Sequence, residues 1–426
     1  MKWNIKKLAI LSSLALALFI VLTRLLLTPV DDLTHRHFTR GDAFSDINTY
    51  SAVQYFYEHG LWESKLRPVH RYDPQNGSPH LRVYTHYPAL PDVAVGIWSK
   101  LIDSTDIRWV RVFPFLLSLG WLFLMWKFLG TFLGDTPQRW VGFCLLVVSG
   151  YFIPWADSIH KHPWEEFSKW LFTLLLFYYY TKGRSFWILG LLGVVAFFTS
   201  HTSFEPIVYI AVLVVGFSMV FEKSWWKGFL SRESWFLGFC FVLGFVSHIY
   251  LNALYFGSWQ LALNDLHEAL AHRTANCPDP ALCGMSFLDH LQIPLVANSR
   301  IERYFIIPGI AMFYFCWLAY KKLKTIDTTK AQLFLVFLAA SFSWYFFMKQ
   351  HAWVHHFVGK QSGLAFGIAM GVGGLQYLQN LKERWKGLSL SLKSLQVLFI
   401  TYIVAMALTQ QVIEIWWKHG LALWLN

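Results

Sequence analysis

The chain has 426 residues, 55% of them hydrophobic, 19% aromatic and only 14% charged, where a soluble domain carries roughly 25% charged residues. A formal net charge of +11 would point to nucleic acid in a soluble protein. Here the basic residues lie between long apolar runs, so the charge reports membrane topology and anionic lipid, with no nucleic acid as partner.

The apolar runs have the length that crosses a bilayer core, which implies an all-α polytopic membrane protein with about eleven transmembrane helices. Residues 1–426 read as a single transmembrane domain. The start, MKWNIKK, is basic and is followed by an apolar run over 8–29 that contains Arg24 and ends in TPVDD. A signal peptide would have a shorter apolar stretch and a small-residue cleavage site, so this run is expected to be a retained first helix. Further spans are expected at 109–133, 140–156, 164–180, 186–200, 207–221, 235–257, 304–320, 333–348, 364–379 and 394–417.

With the N-terminus cytoplasmic, the inner connections are GDTPQR, TKGRS, EKSWWKGFLSRES, KKLKTIDTTKAQ and NLKERWKGLSLSLK. All are short and basic, as the positive-inside rule requires. None of the 17 histidines falls in them. The polar chemistry is therefore expected on the extracytoplasmic face of a multi-pass protein, with a bacterial inner or plasma membrane as its expected location.

The first outer loop, 30–108, is long and rich in chemistry. After Ser45-Asp46, a plausible N-cap, the residues Ile47, Tyr50, Val53, Tyr55, Phe56 and Tyr57 predict an amphipathic interfacial helix ended by Gly60. Asp42 stands four residues before Asp46. Arg36, Arg40, Arg67, Arg71, Arg82 and His86 follow the pattern of a surface that meets phosphate, for which arginine offers bidentate geometry. A second short helix is expected over 90–101.

Between the third and fourth spans, DSIHKHPWEEFSKW gathers Asp157, His160, His162, Glu165 and Glu166 at a helix start. Glu165 and Lys169 are spaced as an i, i+4 ion pair. His160 and His162 are candidate metal ligands, with a divalent metal as the candidate cofactor, although two histidines without a fixed third ligand make an incomplete site. The next outer turn brings His201 and Glu205 to the membrane edge, where a carboxylate is costly unless exposed or paired; a cavity lining is the expected setting.

The outer loop 258–303 carries Cys277 and Cys283 around Pro and Asp, a spacing that fits a small disulfide-closed loop in an oxidising compartment. MKQHAWVHHFVGKQ then places His351, His355, His356 and Lys360 just outside a membrane helix. His351 and His355 share one helical face. The assigned roles are binding of a lipid-linked phosphate or anchoring at the interface.

The order of these features resembles the GT-C superfamily of membrane glycosyltransferases, in particular the lipid A aminoarabinose transferases and protein O-mannosyltransferases. Their first-loop Asp-Glu-x-x-Tyr pattern is similar to Asp46-Ile47-Asn48-Thr49-Tyr50, with Ile in place of Glu. Their Pro-Pro-Leu segment resembles Tyr87-Pro88-Ala89-Leu90, and their Arg-Leu-Pro helix start resembles Arg111 to Pro114. The resemblance implies an enzyme that moves a sugar from a polyprenyl-phosphate donor to a lipid, glycan or protein acceptor outside the membrane. It implies Asp46, or Asp42, as the catalytic carboxylate of the loop, and Glu166 or Glu165 as a second acid. Tyr50, the loop arginines, His86 and the 351–360 cluster would then bind substrate or its phosphate. The reading from another class is a secondary transporter, or a metal- or haem-handling membrane protein with a histidine-rich outer face. A transporter should show related halves and charges at mid-membrane.

Overall fold

The computed structural model of the chain describes residues 5–27, 42–72, 82–274 and 309–385, together with 292, 294, 295, 297, 301, 304, 305, 394 and 397. Cys277, Cys283, Arg36, Arg40 and nearly all of the expected span 394–417 lie outside the described residues, as does the side chain of His356.

The described chain is almost entirely helical. Helix α1 (Ile5–Leu27) precedes the first loop, which contains α2 (Ala43–His59), a two-residue antiparallel ribbon of β1 (Val69–His70) and β2 (Arg82–Val83), and α3 (Leu90–Leu101). A short α4 (Ile107–Val110) leads into α5 (Val112–Leu133), then α6 (Pro137–Val147), α7 (His162–Lys182), α8 (Phe186–Ser200), α9 (Glu205–Glu222), α10 (Trp225–Phe229), α11 (Arg232–Phe256) and α12 (Trp259–Thr274). The last part holds α13 (Gly309–Ile326), α14 (Thr328–Phe347), α15 (Lys349–Val354), a 3-10 turn over His356–Ser362, α16 (Gly363–Ile368), a π-helical turn over Ala369–Gly374, and α17 (Leu375–Trp385).

Residues 107–133, 205–222, 232–256 and 328–347 are long and apolar enough to cross a membrane, and shorter apolar helices lie at 7–23 and 186–200. Large apolar side chains point outward along them: Phe186 and Trp187 on α8, and Trp235, Phe239 and Val242 on α11, are all more than half exposed. In water such a stripe would be an aggregation surface; against lipid tails it is the expected exterior. Between the helices the core is aromatic. Phe128 meets Trp170, Phe177 and Phe337 edge-on, and Trp121 meets Tyr151 in the same way, the geometry that the ring quadrupole favours.

Two sequence expectations need correction. The run 140–156 does not continue as one helix: α6 stops at Val147. Gly150 and Pro154 break the ladder, since Pro lacks the N–H and disfavours helix before it. Residues 149–158 instead form turns buried inside the bundle, with Tyr151, Phe152, Ile153 and Ala156 at 0% exposure. The N-cap of α2 is Asp42, one turn earlier than Ser45-Asp46: its carboxylate accepts from the Ser45 N–H at 3.2 Å and the Ser45 hydroxyl at 2.6 Å. Gly60 does end α2, with φ +87°, a conformation that costs glycine little.

The predicted inner connections 181–185 and 222–234 meet each other: Arg184 pairs with Glu222, and the Tyr179 hydroxyl donates to Glu233 at 2.9 Å. Described residues of four predicted outer segments, the first loop, 157–162, 201–205 and 349–362, gather at the site described next.

Candidate active site under the first loop

Helix α2 lies on α3, where Gly96 permits the approach; a Cβ there would stand 2.7 Å from a ring carbon of Phe56. Tyr50, Val53, Val95, Ile107, Val110 and Ile159 form a small apolar cluster that fixes the helix over residues 157–162. The Tyr50 hydroxyl donates to the Thr105 carbonyl at 2.9 Å. Asp46 is thereby turned inward and is fully buried. It accepts from the Ser158 hydroxyl at 2.7 Å and from the His160 N–H at 3.2 Å. Thr49 bonds the His160 ring at 2.9 Å. Burial, with the nearby charge of Lys161, holds His160 well below the ordinary imidazole range.

Asp42 reaches His162 Nε2 at 3.3 Å, and the other ring nitrogen, Nδ1, receives Lys360 Nζ at 2.6 Å. Burial alone would raise the Asp42 pKa. Hydrogen bonds from His162 and Ser45 outweigh it and hold the carboxyl well below the ordinary range. Lys360 is 1% exposed, stands over the Trp155 ring at 4.3 Å and lies 3.6 Å from Glu165. Burial pushes its pKa down to about 8, against the pull of Glu165 and Glu166.

Lys161 is the hub of the array. Its ammonium is 2.6 Å from Glu205, 3.2 Å from Glu165 and 3.2 Å from the Ser203 hydroxyl, beneath the rings of Tyr87 and Phe357. Burial would lower its pKa, but Glu165 and Glu205 raise it above the ordinary lysine value. Glu205 also accepts from Tyr87 at 3.4 Å, and Tyr87 meets His351 Nε2 at 2.8 Å. Because the Trp344 indole donates to His351 Nδ1 at 3.0 Å, a neutral His351 carries its proton on Nε2. His355 lies beside it, with ring centroids 4.4 Å apart.

Glu166 faces the bundle interior, where it accepts from Tyr151 at 2.5 Å and pairs with Lys169 at 2.6 Å. Lys169 thus partners Glu166 at i+3, and the expected pairing of Lys169 with Glu165 is replaced because Lys161 and Lys360 hold Glu165.

Among the described residues, the loop arginines Arg67, Arg71 and Arg82 separate from this array. Arg67 is buried but committed to Asn252 at 2.8 Å and His248 at 3.2 Å, tying the loop to α11. His86 pairs with Asp265 of α12 at 3.1 Å. Arg71, just after β1, and Arg82, on β2, are exposed. His160 and His162 approach each other, with ring centroids 5.8 Å apart. Among the described residues, however, no group of three or more His, Cys, Asp or Glu side chains could hold a metal ion. His162 has Lys360 at Nδ1, where a metal would compete with an ammonium, so these residues do not fit a divalent metal.

The central residues that sequence reasoning passed over are Lys161, which sits between the two histidines it singled out, and Tyr87, noted only within a motif. Glu205, expected to line a cavity, borders only a water-sized gap of about 10 Å³, shared with Glu165, Glu166, Lys360 and Gln361.

No protein-family model matches the chain, and no curated protein matches it by sequence. Among solved structures it is similar to the oligosaccharyltransferase of Archaeoglobus fulgidus in the apo form, with a TM-score of 0.51 and 13% identity over 96% of this chain and 57% of that one. The Archaeoglobus fulgidus oligosaccharyltransferase in complex with an inhibitory peptide and a dolichol-phosphate gives a TM-score of 0.49 at 14% identity, over 97% of this chain and 56% of that one. The chain therefore spans a little over half the length of the structures it matches. The apo likeness shows a shared fold.

Proposed function

We propose that this membrane protein is a GT-C-type glycosyltransferase that moves a sugar from a polyprenyl-phosphate donor to an acceptor on the extracytoplasmic face. One observation carries the reading. Residues from four separate predicted outer segments (Asp42, Lys161, Glu205, His351 and Lys360 among them) converge in one buried array of carboxylates and cations, in a fold shared with an oligosaccharyltransferase.

Of the two first-loop carboxylates, Asp42 is the better candidate for contact with substrate. Its side chain is 13% exposed, whereas Asp46 is fully buried and holds Ser158 and His160. Ionised throughout the physiological range, Asp42 would orient the acceptor and take its proton only as that proton becomes acidic during bond formation to the anomeric carbon. The bond to the donor phosphate breaks on the opposite side of that carbon. Lys360, assisted by His351 and His355, would stabilise the charge that develops on the phosphate. Asp46 acts as an anchor for α2, and Glu166 with Lys169 as an internal brace. The acceptor class, and the narrower kinship to aminoarabinose or mannosyl transferases, belong to the same proposal.

The test is transfer in proteoliposomes from a panel of polyprenyl-phosphate sugars, with Asp42→Asn beside the parent protein. Transfer of one sugar that Asp42→Asn abolishes supports the reading, and no transfer from any member of the panel sinks it. The transporter reading is weaker, because the ionisable groups gather under the loop at one end of the bundle.

A further inference from the structure

Helix α2 commits two side chains of one face to a single residue. Asp46 and Thr49, both fully buried, bind the backbone N–H of His160 at 3.2 Å and its ring Nδ1 at 2.9 Å. A threonine inside a helix often returns its hydroxyl proton to the carbonyl four residues back, as the buried Thr173 and Thr199 do at 2.7 and 2.6 Å. Thr49 turns its hydroxyl to the histidine instead. The remaining polar atom of the ring, Nε2, has no hydrogen-bond partner among the described residues and is open to solvent.

The Thr49 proton decides what Nε2 can do. A threonine hydroxyl has one proton to give, and this hydroxyl also bonds the buried carboxyl of Asp92, which is ionised above about pH 6. A carboxylate only accepts, so Thr49 donates to Asp92 and must itself accept from Nδ1–H of His160. A neutral imidazole protonated on Nδ1 keeps a lone pair on Nε2.

That lone pair lies close to the proposed base. The His160 and His162 ring centroids are 5.8 Å apart, and His162 meets Asp42 at 3.3 Å. His162 is fully buried, whereas Asp42 and His160 are each part-exposed. Two part-exposed acceptors joined through one buried ring suit a ligand that brings O–H donors. A phosphate oxygen, itself an acceptor, gains nothing from either. A metal ion would need a third ligand, and among the described residues no such group of three exists.

We propose that Thr49, bonded to Asp92, keeps His160 protonated on Nδ1, so that Nε2 accepts a hydrogen bond from a substrate hydroxyl next to the one that Asp42 orients. The inference rests on the glycosyl-transfer reading and adds to it one substrate contact, His160, and two positioning residues, Thr49 and Asp92.

The experiment has two arms. The first is nuclear magnetic resonance of the purified full chain with isotope-labelled histidine, the His160 signals being assigned by their absence in His160→Asn or His160→Gln. The parent is expected to be protonated on Nδ1. Thr49→Val, which keeps the shape and removes the hydroxyl, should move the proton to Nε2, and Thr49→Ser should not. A parent already protonated on Nε2 overturns the inference. So does broadening of the His160 signals by micromolar manganese(II), which would make the ring a metal ligand.

The second arm is transfer kinetics. His160→Asn keeps a polar atom in the place of Nδ1 and deletes the Nε2 edge, while His160→Gln keeps a polar atom that reaches the place of Nε2. His160→Asn should raise the KM of one substrate about tenfold with the unfolding midpoint near the parent value, and His160→Gln should restore part of the affinity. Where His160→Asn does not fold, Thr49→Val is expected to raise the same KM. The substrate whose KM moves, sugar donor or acceptor, carries the hydroxyl. A KM unchanged in His160→Asn would leave the ring as a structural tie between α2 and residue 160 and overturns the inference. Absence of transfer in the parent, with His160 protonated on Nδ1 as expected, would sink the glycosyl-transfer reading and keep the prepared acceptor atom.

Discussion

Lys360 Nζ lies 2.6 Å from Nδ1 of His162. A protonated Lys360 can only donate, so Nδ1 must accept, and a neutral His162 carries its proton on Nε2, toward Asp42 at 3.3 Å. The three side chains form a directed chain from ammonium to carboxylate, and its direction depends on the charge of Lys360.

The first prediction follows from that charge. Burial sets the Lys360 pKa at about 8, so the ammonium is present below that pH and lost above it. The rate of transfer per donor, kcat/KM, should therefore fall as pH rises through about 8. Lys360→Arg, charged at every accessible pH, should move that limb out of range while lowering the plateau. A pH–rate profile with the same alkaline limb in Lys360→Arg would detach the limb from this residue.

The first-loop carboxylates should separate by what they change. Asp42→Asn should preserve folding and lower turnover about a hundredfold or more, the range of a general base. Asp46→Asn places an amide against the His160 N–H and the Ser158 hydroxyl, and should destabilise the protein by about 1–3 kcal/mol. Turnover and unfolding measured on both variants decide this. An active Asp42→Asn beside a folded but inactive Asp46→Asn would exchange the two roles.

What the sequence discloses of this arrangement follows from which signals are local. Helix starts and stops are local: Gly60 ends α2 as expected, and the bounds of α8 coincide with the apolar run 186–200. The buried turn at 149–158 is not distinguishable in composition from a span, because a chain buried by protein and one buried by lipid are equally apolar. Asp42 and Asp46 are both visible as acids near a helix start, but which one caps α2 depends on backbone geometry. Lys161 is hidden by its neighbours, and its value as a hub comes from Glu205 and Tyr87, which only tertiary folding brings to it. The bond from Tyr87 to His351 spans 264 residues of sequence, and no periodicity reports such a contact.

Asp92 on α3 gives a stability prediction whose sign is fixed by burial. Burial raises its pKa from 3.8 to about 6, a net value that already includes the opposing hydrogen bond from Thr49 and the charge of Arg67. An acid raised on folding stabilises fully below the unfolded value, and that contribution is lost as pH rises through the folded value. Stability should therefore decline between about pH 4 and pH 6, by up to about 3 kcal/mol. Asp92→Asn should flatten the decline, equalling the parent at low pH and exceeding it at neutral pH. Denaturation midpoints across pH 3.5–7.5 would show this, and a variant weaker than the parent at neutral pH would count against it.

Topology is open to a direct test. Tags at Ser185 and Ser389 are expected to be cytoplasmic, and the loop 258–303 accessible from outside. Impermeant labelling of both sets from the same side would remove the orientation on which an extracytoplasmic reaction depends.

The last prediction concerns Lys161 and Glu205, 2.6 Å apart and both almost wholly buried. Removing one member of a buried pair leaves an uncompensated charge and costs about 3–5 kcal/mol, whereas replacing both with neutral groups is often close to neutral. Lys161→Met should thus be severely destabilised, more than Glu205→Gln, because Glu165 at 3.2 Å also loses its nearer cation. The double variant Lys161→Met/Glu205→Gln should recover part of the loss, since only Glu165 then remains, and Lys360 at 3.6 Å still faces it. Activity should not recover with stability. Without Lys161 the Tyr87 ring loses its cation at 4.4 Å, and the link from the first loop through Tyr87 to His351 loosens. The cycle is read in unfolding free energy and in transfer rate on the same four proteins. Strict additivity of the two substitutions in stability would mean that the contact is not an energetic pair, and Lys161 would lose its place at the centre of the site.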